Sequence, residues 1–316
     1  MDWRNLETLQ ASQPCVATIG FFDGVHRGHQ FLIHRLVEDA HAAGLQSLVI
    51  TFDRHPRQVV CPSWQPELLS TLDEKKLLLS KTGVDACCVL PFNKQMAALS
   101  AHAFMKQVLR DQLNVRKLYV GYDNRFGHDR TESFDDYVRY GLELGMEVVR
   151  GDKLEALGTK HTAISSSLIR QYIKAGEVEN AEQALGYPYQ LTGMVTTGYQ
   201  EGRKLGFPTA NLDLNSIGKL VPAPGVYAVM VRVEGSVGWK RAMMNIGTRP
   251  TFDGNSLTIE THIFQFEDDI YHKKLTISVI SRIREEHRFD SVEALAAQLR
   301  KDKKAVEACF LSRHGE

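Results

Sequence analysis

The 316-residue chain carries no net charge, since 38 Lys and Arg balance 38 Asp and Glu. Without a whole-protein field, nucleic acid and anionic membranes gain no general attraction, and any anion site has to be built locally. Cysteine is sparse and unpatterned. The five residues, at 15, 61, 87, 88 and 309, are odd in number and show no C-x-x-C spacing, so they read as reduced thiols rather than a disulfide framework. Long apolar runs are missing as well: no uncharged stretch approaches the roughly 18 residues of a membrane span. Met1-Asp-Trp-Arg-Asn has neither the basic region nor the apolar region of a secretory signal, so a soluble, cytoplasmic protein is expected. Basic stretches contain few interleaved aromatics, which disfavours RNA as a partner.

What is present begins with Cys15-Val-Ala-Thr-Ile-Gly-Phe-Phe-Asp-Gly-Val-His-Arg-Gly-His29. Val16 to Phe22 has the β-branched and aromatic content of a buried parallel strand. From Gln30 to Ala43 apolar residues return at helical spacing, through Phe31, Leu32, Leu36, Val37 and Ala40. The Gly-rich turn between them therefore sits at the carboxyl end of a strand and opens a helix, a position suited to phosphate. His26 and His29 are three residues apart, so both imidazoles can face one anion. Asp23 and Gly24 make the turn, and Gly28 permits close approach of a ligand.

Further strands are predicted at Ser47 to Phe52, Ala86 to Leu90, Lys117 to Gly121 and Glu147 to Val149, with helices at Leu72 to Thr82 and Ala101 to Leu113. This alternation predicts a doubly wound parallel sheet. Polar residues gather where these strands stop: Asp53, His55 and Arg57 around Pro56, then Asp123 and Arg125 in Val120-Gly-Tyr-Asp-Asn-Arg-Phe-Gly127. In Ile164-Ser-Ser-Ser-Leu-Ile-Arg170, Ser165, Ser166 and Arg170 suit a triphosphate, or Ser-rich capping of an ordinary helix. A helix from Glu177 ends at Leu185, and composition then changes. Short strands parted by Gly and Pro follow (Leu191 to Thr197, Gly225 to Val233, Lys240 to Ile246, Leu257 to Phe264, Leu275 to Ile283), with one closing helix from Val292 to Cys309. That pattern predicts a small antiparallel barrel. Two domains are expected, 1–185 and 186–316.

The second domain holds Gly202-Arg-Lys-Leu-Gly-Phe-Pro-Thr-Ala-Asn-Leu212, a loop with charge at Arg203 and Lys204 and neutral oxygen donors at Thr209 and Asn211. Mg²⁺ brought by a nucleotide needs only one or two such protein oxygens. On strand periodicity alone Glu260 would be an outward-facing, solubilising residue.

Gly20-Phe-Phe-Asp-Gly-Val-His-Arg-Gly-His29 resembles the H-x-G-H signature of the nucleotidylyltransferase superfamily, in the form found in prokaryotic bifunctional riboflavin kinase/FMN adenylyltransferases. The segments 120–127 and 164–170 resemble that family's V-G-x-[DN]-F-x-F-G and I-S-S-T-x-I-R motifs, with Asn124 in place of an aromatic and Ser167 in place of threonine. The loop at 202–211 resembles the riboflavin kinase signature G-R-x-L-G-[FY]-P-T-A-N, and 225–228, 245–251, 259–263 and 283–289 follow in family order. The resemblance implies a nucleotidylyltransferase-like α/β domain followed by a riboflavin kinase-like barrel. It implies riboflavin, FMN, FAD and ATP as substrates and products, with Mg²⁺. It places a nucleotide site on Gly20, Phe22, Asp23, Gly24, Gly28, Asp123, Arg125, Ser165, Ser166 and Arg170 around catalytic His26 and His29. A second site involves Gly202, Arg203, Lys204, Gly206 and Pro208, with Thr209 and Asn211 at the metal and Glu260 as base. No nucleic-acid or membrane partner is expected, and homo-oligomerisation stays open.

Overall fold

Six strands, the inner ones largely buried and the two edge strands exposed, organise the amino-terminal part of the chain: β1 (Asp2–Arg4), β2 (Cys15–Ile19), β3 (Gln46–Phe52), β4 (Ala86–Leu90), β5 (Val115–Val120) and β6 (Glu147–Arg150). The computed structural model describes residues 1–4, 13–122, 124–154, 163–198, 201–251 and 254–313. Cys15, Ala17 and Ile19 of β2 enter one core with Leu48, Ile50, Cys88 and Leu118, while Val16 packs with Leu36 and Ala40 of the helix Arg27–Ala42 on the opposite face. Strands covered on both faces are the mark of a parallel sheet. All the pairings are parallel, in the order β1-β4-β3-β2-β5-β6. From β2 the chain moves to one side through β3 and β4, then returns to the other side at β5. The carboxyl ends of β2 and β5 therefore flank the switch point of the sheet, where a crevice opens.

The second part is a closed antiparallel barrel of β7 (Gln190–Thr196), β8 (Ala210–Leu212), β9 (Gly225–Val233), β10 (Lys240–Thr251), β11 (Gly254–Ile263) and β12 (Lys274–Arg284), in the order β10-β11-β8-β7-β12-β9. The helix Val292–Arg313 covers it, Val306 and Phe310 packing with Val226, Ala228, Met243 and Ile280. Both expected architectures are present.

Differences lie at short elements and at the division of the chain. Residues 210–212, read as loop, form β8, because pairing with β7 and β11 orders a stretch too short to show periodicity. Pro56 starts a short helix, Pro56–Val60, instead of marking only a loop, with His55 as its N-cap. The helix Ala101–Phe104 continues as a π-helix over Met105–Gln112. The compact units are Met1–Ser166 and Ser167–Glu316, and the helix Val178–Leu185 packs with the barrel. Its Glu179 carboxylate accepts from the Ser281 hydroxyl and, at 3.2 Å, from Arg282 N–H, and the Arg282 guanidinium donates to Ala175 O at 3.3 Å. Among the described residues no helix is long and apolar enough to cross a membrane.

Candidate active sites in the two units

The turn after β2 is held in conformations that side chains rarely adopt. Phe22 and Val25 have φ of 52° and 38°, and Gly24 lies between them at 75°. For a β-branched residue this is costly, so the surroundings must fix it. They do so through Asp23. Its buried carboxylate accepts from Leu69 N–H at 3.0 Å and Ser70 N–H at 3.1 Å, while Gly24 N–H donates to Ser70 Oγ at 2.9 Å. The Asp23 side chain thus anchors the turn, which the sequence assigned to Asp23 and Gly24, to the segment before the helix Leu72–Ser80. Ser166 Oγ donates to Asp23 O at 3.1 Å, which brings the start of the helix Ser166–Ala175 to the same turn. Arg170 lies about one turn further along that helix, and Ser165 immediately precedes it.

His26 caps the helix Arg27–Ala42: its Nδ1 accepts from His29 N–H at 3.3 Å, which leaves the single proton of a neutral ring on Nε2. The two imidazoles stack, with centroids 3.6 Å apart and an interplanar angle of 19°. Burial first, then the charges of His26 and Lys75, hold the pKa of His29 well below its ordinary value. His29 Nδ1 is itself buried with no hydrogen-bond partner among the described residues. A buried polar atom left unpaired is costly, and a ligand at this edge would relieve it. Gly28 is closely packed, since a Cβ there would stand 3.2 Å from the His26 ring and from Ile164 O. Gly20 likewise lies under Phe22, where a Cβ would stand 3.1 Å from the ring.

Across the crevice, Asn124 Nδ2 donates to Ile19 O at 2.5 Å, tying the loop after β5 to the end of β2. Arg125 is exposed beside it, and Asp123 lies outside the described residues. His55 rests edge-on against Phe21 and tilts against Trp64, each with centroids 4.7 Å apart. Asp53 is occupied by Phe92 N–H and by Arg54. Sequence reading assigned no site role to the helix Leu72–Ser80 and so missed Lys75. It is buried, with Nζ 3.6 Å from the centroid of the Phe21 ring. The available signal was its spacing of four from Leu79, the other buried residue of that helix.

In the barrel unit, register brings the second constellation together. Glu260 of β11 stands opposite Asn211 of β8 and Asn245 of β10, and Thr209 Oγ1 donates to Glu260 Oε2 at 3.4 Å. Side chains directly opposite on neighbouring strands share a face. Asn245 lies two residues from Met243, so this polar group occupies the face whose apolar part meets the closing helix. Residues 201–204 form a helical turn that bends back, Phe207 N–H donating to Gly202 O at 2.8 Å. A Cβ at Gly202 would lie 2.4 Å from Phe207 O, so only glycine fits. Gly206 takes φ 81°, Arg203 and Pro208 are exposed, and the Lys204 side chain lies outside the described ones. His262, also missed, donates from Nδ1 to Pro208 O at 2.8 Å and so fixes the loop that carries Thr209. Burial lowers its pKa, partly offset by that carbonyl.

The FAD synthetase family model matches residues 8–168 and the riboflavin kinase model residues 185–310. The bifunctional riboflavin kinase/FMN adenylyltransferase of Pseudomonas fluorescens is 38% identical over 307 residues, covering 96% of each chain. The chain belongs to the bifunctional riboflavin kinase/FMN adenylyltransferase family. The Listeria monocytogenes member of that family is 39% identical over 93% of this chain and 92% of its own. A crystal structure described as a macrolide-efflux protein from Streptococcus pneumoniae shares the fold of the family member described here. It has a TM-score of 0.86 and 32% identity, over 97% of this chain and 99% of that one.

Proposed function

We propose that this chain performs both reactions of its family: phosphorylation of riboflavin by ATP to FMN in the barrel unit, and transfer of AMP from a second ATP to FMN in the parallel-sheet unit, yielding FAD and pyrophosphate. The observation that carries the reading is that each unit holds its own phosphate chemistry, stacked His26 and His29 at the sheet edge in one and Thr209, Asn211 and Glu260 on facing strands in the other. We place the functional boundary at 185/186.

For adenylyl transfer the nucleophile is already an anionic phosphate, so a general base is unnecessary. His26 Nε2–H and His29 donate to the α-phosphate and the departing pyrophosphate, with Ser165, Ser166 and Arg170 on the remaining oxygens and Asp123 and Arg125 as further ligand contacts. Gly20, Phe22, Asp23, Gly24 and Gly28 shape the turn that aims the histidines. For phosphorylation, Glu260 accepts the proton of the ribityl hydroxyl while Gly202, Arg203, Lys204, Gly206 and Pro208 form the phosphate loop. Thr209 and Asn211 are hard, neutral oxygen donors, one just before β8 and one on it, that both meet Glu260 of β11, and such a sparse pair fits Mg²⁺ arriving on a nucleotide. The ion would neutralise phosphate charge. Small molecules are its substrates, with no nucleic acid or membrane partner, and its setting is the cytoplasm.

The test is product chromatography after incubation of the purified protein with Mg·ATP and either riboflavin or FMN. FMN and then FAD from the first, and FAD from the second, are expected. Absence of either product removes the corresponding assignment.

A further inference from the structure

The strand registers of the barrel set one row of side chains at a single level across five strands. Asn211 of β8 stands opposite Glu260 of β11, Glu260 opposite Asn245 of β10, Asn245 opposite Val226 of β9, and Val226 opposite Arg284 of β12. Directly opposed residues share a face, and Val226 packs with Val306 and Phe310, so the row lies on the face that the helix Val292–Arg313 covers. At one end of the row Thr209 Oγ1 donates to Glu260. At the other, Arg284 grips the buried carboxylate of Asp302 on the covering helix with two parallel bonds, Nε to Oδ1 at 2.9 Å and Nη2 to Oδ2 at 2.7 Å. Gln298 Nε2 also donates to Asp302 Oδ1, at 2.8 Å. Arg284 is the last residue of β12, so this fork fixes where the chain leaves the barrel.

Two residues further on, the chain comes back to β10. Glu286 Oε2 accepts from Thr248 N–H at 3.2 Å. Its carboxylate fits there because Gly247 has no side chain: a Cβ at that position would collide with Glu286 Oε1 and stand 3.0 Å from Asn245 Nδ2. Asn245 and Gly247 are two apart on β10 and share a face. A carboxylate oxygen and an amide nitrogen therefore border the same small space, with Glu260 on the neighbouring strand. An ionised carboxylate only accepts hydrogen bonds, so it favours the amide with its NH₂ turned toward Glu286. We infer that Glu286 is a positioning residue for riboflavin phosphorylation: seated on Thr248 N–H, it holds the Asn245 amide by its nitrogen and leaves Oδ1 to accept from the ribityl chain beside Glu260. That chain carries hydroxyls on successive carbons. Two acceptors on adjacent strands, Glu260 and Asn245 Oδ1, can take the terminal hydroxyl and its neighbour and so fix the direction of attack on the phosphate. The inference rests on the assignment of the kinase reaction to Glu260, Thr209 and Asn211.

The full-length protein tests it through steady-state kinetics of FMN formation and the side-chain amide resonances of Asn245 by NMR, which N245A identifies by their loss. E286Q is the deciding variant. A glutamine oxygen can still take Thr248 N–H, but the glutamine NH₂ then faces the amide nitrogen of Asn245. E286Q should therefore behave like E286A, with kcat/KM for riboflavin lowered on the order of tenfold. The KM for ATP and the adenylylation of added FMN should stay as in wild type, and the Asn245 amide resonances should move in both variants. Adding E286A to N245A should cost nothing further, because the two residues act through one another. Wild-type kinetics in E286Q, with a loss only in E286A, would reduce Glu286 to a backbone tie and overturn the inference. Effects that multiply in the double variant, or Asn245 resonances that stay in place, overturn it as well. A wild type that makes no FMN, with Asn245 resonances that respond to E286Q, sinks the kinase assignment instead.

Discussion

Replacing Asp23 by alanine removes the acceptor that holds the histidine turn, and the structure allows the cost to be worked out. Leu69 N–H and Ser70 N–H lose a buried carboxylate at 3.0 and 3.1 Å. Each stranded donor costs about 1–3 kcal/mol, so Asp23→Ala should destabilise the first unit by roughly 2–6 kcal/mol. Against a typical total of about 5–15 kcal/mol this is severe. Asp23→Asn is the informative contrast: Oδ1 alone lies within reach of both amides, so an asparagine oxygen keeps both bonds and loses only their charge. About 1–2 kcal/mol is expected there. The assay is urea unfolding followed by the fluorescence of Trp3 and Trp64, with FAD formation from FMN measured in parallel. With a urea dependence near 2 kcal/mol per M, the alanine midpoint should drop by about 2 M. FAD formation should fall further than stability predicts, because Phe22 and Val25 would relax from their left-handed conformations and turn His26 away. A wild-type midpoint together with wild-type FAD formation in Asp23→Ala would refute this account of the turn.

Other outcomes follow from the same geometry. His29→Ala should lower FAD formation by about 10²–10³ and spare FMN formation from riboflavin; chromatography of flavin products checks both. Glu260→Gln should slow riboflavin phosphorylation by roughly 10²–10⁴ while added FMN is still adenylylated, and near-normal FMN production would place the base elsewhere. Lys75 has a folded pKa near 8 against 10.5 in the unfolded chain, so between these values the unfolded state binds more protons and stability rises with pH. Below pH 8 the buried charge costs up to about 3 kcal/mol, and K75M should therefore unfold at higher urea than wild type at pH 7, a gain that shrinks toward pH 10. A fragment of residues 167–316 should make FMN but no FAD. One starting at 186 should be less stable, because it loses the Glu179 carboxylate that Ser281 and Arg282 require.

The sequence by itself determined the architecture of both units and the identity of most site residues, because these rest on local patterns. A doubly apolar strand such as 15–19, a Gly-rich turn before a helix, and Gly202 and Gly206 around a tight loop are legible wherever they occur, since backbone sterics and burial act residue by residue. Near neighbours in the chain were also legible, as with His26 and His29. Elements whose existence depends on distant partners were not. β8 is three residues long and exists through its pairing with β7 and β11, and Glu179 binds the barrel although composition changes only after Leu185. The same reason explains the roles that differed. Asp23 was legible as a turn residue, but not the amides 46 and 47 residues away that it satisfies, nor the closeness of Gly28 to Ile164 O. Lys75 and His262 look like a surface charge and an ordinary strand residue in the sequence. Only the fold buries one beneath Phe21 and sets the other against Pro208, because burial and long-range hydrogen bonding are properties of the packed chain.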